Sequence, residues 1–157
     1  MTTTTTTYVV HALPAAILAQ VRSSRLDASG NPAERAVARG GEPLRCCLRD
    51  AEAGEALLLF GYSPPAARGP YREVGAVFAH AEQCTGFAGT GYPHDWRRRP
   101  QVLRAYDSRG WIHPATTVHD GSDPESAIAE VLAASGVVEV HSRNIAHGCY
   151  MFAVAAR

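Results

Sequence analysis

The chain has 157 residues, enough for one domain with its own core, and 46% of them are apolar, an ordinary globular proportion. Its 15 basic and 15 acidic side chains cancel, which argues against nucleic acid or an anionic membrane as a general partner. All of the basic residues are arginine, so Schiff-base chemistry, covalent pyridoxal phosphate attachment and the P-loop lysine are excluded.

The threonine run over 1–7 reads as a disordered lead-in to a single domain over 8–157. No signal-peptide pattern or membrane-length apolar run appears, so the expected location is the cytoplasm and the four cysteines are expected to be reduced thiols. Tyr8 to Leu13 reads as a short strand. Pro14 then suits the first turn of a helix reaching about Arg22, with Ile17, Leu18 and Val21 on one face. Ser23 to Gly41 reads mostly as loop, with at most a helical turn at Ala33 to Arg39. Leu44 to Leu48, Glu55 to Tyr62 and Glu73 to His80 read as strands, the middle one buried on both faces.

Gln83 to Pro100 carries three glycines and two prolines and reads as a long loop of the kind that often hosts function. Gln101 to Asp107 and Trp111 to His119 read as a hairpin across Ser108-Arg109-Gly110. Asp123-Pro124-Glu125 opens a helix, with Ile128, Val131 and Leu132 as its buried stripe and Gly136 as its stop. Val137 to Arg143 and Cys149 to Ala155 close the chain as strands. The order argues for an α+β fold: a mostly antiparallel sheet with two main helices, packed as a single pair of layers.

Strand alternation sorts the polar side chains. Arg104 and Tyr106 share one face, as do Glu139, His141 and Arg143. Two guanidinium forks on one side of a sheet suit a carboxylate or phosphate, with Tyr106 adding a hydroxyl. The plainer alternative is a solvated arginine face, or salt bridges to Glu73, Asp107 or Glu139. On the closing strand Tyr150, Phe152 and Val154 read as core, which puts Cys149 and Met151 with the polar set.

A second constellation joins thiols and imidazoles: His80-x-x-x-Cys84, His147-x-Cys149, and the adjacent Cys46 and Cys47. A thiolate needs a nearby base or cation to act as a nucleophile at neutral pH. A zinc site needs four such ligands in tetrahedral array, and neither spacing matches a known zinc signature. Cys46, on the strand face of Leu44 and Leu48, reads as a buried apolar residue. His94-Asp95 and Arg97-Arg98-Arg99 read as solvated loop.

Several of these segments together resemble an uncharacterised bacterial family, domain of unknown function 1203. They are Pro43-Leu44-Arg45-Cys46-Cys47-Leu48-Arg49-Asp50 with Gly54-Glu55, Gly69-Pro70-Tyr71, Val77-Phe78-Ala79-His80 with Cys84, Leu103-Arg104-Ala105-Tyr106-Asp107, and His141-Ser142-Arg143 with Cys149-Tyr150-Met151-Phe152. The resemblance runs from about Tyr8 onward. It implies a bacterial, cytoplasmic, single-domain protein and brings no activity with it.

The residues then carry three expectations. The first is an enzyme of isomerase, cyclase or hydrolase type acting on a small anionic metabolite without a cofactor. Arg104, Tyr106, Arg143 and Cys149 would bind the substrate. His80 or His141 would move a proton, and Cys47 or Cys84 would be the nucleophile or acid. The second is a non-catalytic binding protein using the same pocket. The third is a metal site built from Cys47, His80, Cys84 and Cys149.

Overall fold

Ala56–Tyr62 is the apolar run on which half of the structure is built. In the computed structural model, which describes residues 8–89 and 91–157, this strand, β5, is the second of five in one sheet. Before it come β1 (Tyr8–His11), α1 (Ala15–Ser24), β2 (Glu34–Val37), β3 (Pro43–Leu44) and β4 (Arg49–Asp50). After it come β6 (Gly75–His80), β7 (Gln101–Tyr106), β8 (Thr117–His119), α2 (Pro124–Ala133), β9 (Glu139–Asn144) and β10 (Tyr150–Ala156). The fold is α+β. The strands divide into two five-stranded sheets, ordered β1-β10-β9-β7-β8 and β2-β5-β6-β3-β4, where a single sheet was expected. Pairing is antiparallel except between β3 and β6. The lead-in expected over 1–7 lies outside the described residues.

Helix α2 forms where its start is specified. Asp123 caps α2 by accepting the Ser126 N–H at 3.1 Å, and Pro124 takes the first position, where no donor is needed. Helix α2 buries Ile128 and Val131 against Leu103, Val140 and Phe152 of the first sheet. Helix α1 buries Leu18 and Val21 in the core of the second sheet, with Leu58, Phe60, Val77 and Ala79. The Tyr62 and Tyr150 rings meet at 5.5 Å and join the two sheets.

Three local readings change. Glu34–Val37 is a strand rather than loop or helical turn, because it pairs with β5 from Glu34↔Leu59 to Val37↔Ala56. A bulge in β10 between Tyr150 and Phe152 breaks the expected alternation. Tyr150 therefore joins Ala153 in one core, while Met151, expected among the polar set, is buried with Phe152 and Val154 in the other. Finally, Leu44 to Leu48 is not one strand. Residues 45–48 form a turn closed by the Leu48 N–H on the Leu44 carbonyl at 2.9 Å, and Leu48 ends it at φ 57°.

The long loop is tied down by Trp96, which is fully buried, stacks on Phe152 at 6.0 Å and donates its indole N–H to Asp50 at 3.0 Å. Tyr92 meets the same Phe152 ring edge-on at 5.5 Å. Phe152→Ala removes the shared partner of both rings and should cost ~3–5 kcal/mol in urea unfolding. The exposed Val118→Ala should stay within ~0.5 kcal/mol of the parent; equal effects of the two would contradict this core.

Candidate functional site

The turn at 45–48 decides where the thiols go. Along a strand Cys46 and Cys47 would point to opposite faces. Within a helical turn successive side chains differ by only about 100°, so both can face one neighbour. That neighbour is His80, the last residue of β6, whose Nδ1 lies 3.5 Å from Cys46 Sγ and 3.9 Å from Cys47 Sγ. Cys84 arrives four residues later from the start of the long loop. Ligand-capable atoms of Cys46, Cys47, His80 and Cys84 all lie within 4.8 Å of one another.

The backbone beneath the cluster is anchored from α1, where Arg22 donates to the carbonyls of His80 (2.9 Å) and Glu82. The far side of the imidazole is also fixed. His80 Nε2 lies 3.0 Å from Glu55 Oε1, and Glu55 takes a two-pronged contact from Arg49 at 2.8 and 3.1 Å. The Arg49 hydrogen bonds, joined by the Glu52 N–H and His80, hold the Glu55 carboxyl down to about 2. Cys47, Arg49, Glu55, His80 and Cys84 line an open depression of about 420 Å³.

The three thiols differ in charge state. A hydrogen bond from the Cys47 thiol, with the His80 backbone N–H at 3.4 Å, pulls Cys46 down to about 5 against the opposing effect of burial. Donation to Cys46 and burial push Cys47 up. Burial pushes Cys84 up. One thiolate shared among three sulfurs and an imidazole is the arrangement expected of groups crowded closer than their own charges favour.

The other expected site residues fall elsewhere. Arg104 and Arg143 do share a face of the first sheet with Tyr106 and His141, with Arg104 opposite His141 across the β7–β9 pairing. The acid between the two forks is the chain's own Glu73, which pairs with Arg143 and lies 3.9 Å from Arg104. Arg143 also donates to the Gly148 carbonyl at 2.7 Å, holding the turn before β10. His141 is wholly buried between the rings of Tyr106 (4.7 Å) and Tyr150 (5.2 Å), with Nε2 3.4 Å from Glu139. Cys149 stands with this group, near Arg143 and Arg45, rather than with the other cysteines.

Cys46 thus takes the place expected for Cys149 in the thiol–imidazole group. The sequence signal that pointed to it was the paired Cys46-Cys47, which strand alternation pulled apart. Glu55 and Arg49 were not among the expected site residues. Their signal was only local acid–base pairing six residues apart. Arg97 and Arg99 of the triple-arginine run pair with Glu125 and Asp50, so that run is structural in part.

A family model described as "Protein of unknown function (DUF1203)" matches residues 41–156. The chain belongs to that family. No similar protein of curated function and no similar solved structure is found. The matched segment contains the whole thiol–imidazole cluster and its Arg49–Glu55 support.

Two measurements check this geometry. Glu73→Gln leaves the buried Arg143 guanidinium without its counter-charge and should cost ~1–3 kcal/mol in urea, whereas Arg104→Ala, at a half-exposed position, should cost less than ~1 kcal/mol. Thiolate ultraviolet absorbance of metal-free protein should titrate in steps belonging to the cluster, the first with its midpoint near 5. A first midpoint at the ordinary thiol value near 9.0 would show that the sulfurs do not share a proton.

Proposed function

We propose that this chain is a metal-binding protein that takes one Zn²⁺ through Cys46, Cys47, His80 and Cys84. The observation that carries the reading is the mutual closeness of the four ligand atoms, all within 4.8 Å. A tetrahedral zinc with bonds of about 2.3 Å to sulfur and about 2.0 Å to nitrogen sets its ligand atoms roughly 3.5–3.8 Å apart. The two His80–cysteine separations, 3.5 and 3.9 Å, already sit at that edge length.

The surroundings support the same reading. A His80 that binds through Nδ1 carries its proton on Nε2, where Glu55 Oε1 accepts it at 3.0 Å, the carboxylate–histidine–metal arrangement that fixes a ligand's tautomer. Three thiolates around a divalent ion leave one negative charge. Behind His80 the Arg49 cation and the Glu55 carboxylate neutralise each other, so the support adds no further charge to the centre. Four protein ligands fill a tetrahedron, so the ion has no open position for substrate. Its work is to hold the 45–48 turn, the end of β6 and the start of the long loop together. The ligand set corrects the expected one by a single residue, Cys46 in place of Cys149.

A thiol enzyme is the second reading, and one observation favours it. Cys46, His80 and Glu55 line up at 3.5 and 3.0 Å as nucleophile, base and orienting acid. Burial of Cys46, only 5% exposed, weighs against it, since substrate must reach the sulfur. The anionic-metabolite version of an enzyme is weakened further because Arg104 and Arg143 are occupied by Glu73.

Elemental analysis of untagged protein, reconstituted with Zn²⁺ under reducing conditions, should find one zinc per chain. Co²⁺ substitution should give thiolate-to-cobalt charge-transfer bands. Both signals should be lost in Cys47→Ala and Cys84→Ala and kept in Cys149→Ala. Absence of stoichiometric metal in the parent, or equal loss in Cys149→Ala, would sink the assignment. Loading the metal-free protein at neutral pH should release about two protons, because Cys46 is already ionised while Cys47 and Cys84 are not. Glu55→Gln should weaken zinc binding by roughly 10- to 100-fold in chelator competition. No change there would remove Glu55 from the site.

A further inference from the structure

Arg45, the first residue of the same turn, points away from the thiols and has no use in the metal site. It is only 2% exposed. Its Nε donates to the Tyr150 carbonyl at 2.7 Å and its Nη1 to the Pro43 carbonyl at 2.6 Å, both neutral acceptors. Among the described residues no carboxylate pairs with it. That separates it from Arg143, the other buried arginine, whose charge Glu73 meets. An arginine guanidinium stays protonated at neutral pH, so Arg45 is a buried cation. A buried charge without a counter-ion is costly, and the cost falls when an anion joins it.

Arg45 lines a groove of about 450 Å³, a size common for small-molecule sites. Leu59, Ala76 and Phe78 give the groove an apolar wall. Exposed Arg39 and His147 lie along it, and Cys149 completes it. Glu42 also lines it, but its carboxylate accepts the N–H groups of Arg39 and Gly40, each at 2.8 Å. The two arginines, Arg39 and Arg45, against the one carboxylate, Glu42, leave one surplus positive charge.

We propose that this groove binds a small monocarboxylic acid with an apolar body, its carboxylate on Arg45 and its hydrocarbon against Leu59, Ala76 and Phe78. One surplus cation matches one carboxylate. A phosphate monoester carries roughly 1.5–2 negative charges at neutral pH and would need a second unmatched cation. The apolar wall selects against small hydrophilic acids, which would gain nothing from burying it. None of the groove's lining residues is a zinc ligand, so acid binding here is read separately from metal content.

The test uses the full chain with ¹⁵N labelling. Phenylacetate, hexanoate, acetate, phenylacetamide and inorganic phosphate are titrated separately. Phenylacetate and hexanoate should shift the amides of Ala76, Phe78 and Cys149 in a saturable manner. Phenylacetamide, with the same ring and no charge, should bind at least tenfold more weakly, as should acetate and phosphate. Arg45→Met should abolish the carboxylate preference. Should that variant fail to fold, the acid–amide comparison on the parent decides alone, and Phe78→Ala should weaken phenylacetate by at least fivefold. No saturable shift at the groove, equal binding of acid and amide, or tighter binding of phosphate than of phenylacetate would each overturn the proposal.

Discussion

The hydrogen bond from the Leu48 N–H to the Leu44 carbonyl winds five residues into one turn, and both proposed sites grow out of that turn. An extended chain would have sent Arg45 and Cys47 to one side and Cys46 to the other. The turn instead sends Arg45 toward Tyr150 and lets both cysteines face His80. Leu48, at φ 57°, stops the turn so that β4 can start at Arg49, which then reaches Glu55 behind the imidazole. A non-glycine residue held in the left-handed region is strained, and surrounding structure must over-determine it. Leu48 is 2% exposed, packed in the core of the first sheet, and that burial supplies the compensation.

Charge is managed here almost entirely by arginine. Arg49, Arg97, Arg99 and Arg143 each pair with an internal carboxylate, and Arg22 caps two carbonyls. The planar guanidinium can satisfy two acceptors at once, which a lysine ammonium does less well at a buried joint. An arginine-rich face therefore signals internal bracing in this chain before it signals a ligand. Arg45 departs from that pattern by being buried without an acid, which is why it carries more functional weight than the exposed triple run.

Most of the secondary structure was legible locally. The Asp123-Pro124 start of α2, the apolar run of β5 and the alternation in β7 and β9 each encode their conformation within a few residues. The face shared by Arg104, Tyr106, His141 and Arg143 followed from period-two alternation and is present. What alternation could not supply was the choice of partner among Glu73, Asp107 and Glu139. Glu73 lies about thirty residues before Arg104 in an unstructured stretch, and only chain folding carries it between the two forks.

From its residues alone the chain settles the α+β class, the two helices and the Asp123 cap of α2, most strand positions and the absence of lysine chemistry. Those properties depend on short-range periodicity, capping and composition. The division into two sheets, the strand at 34–37, the bulge at Tyr150 and the gathering of Cys46, Cys47, His80 and Cys84 were decided only in three dimensions. Each depends on a pairing or contact between segments distant along the chain. Where the local signal is a weak four- or five-residue stretch, the long-range partner chooses among turn, strand and bulge.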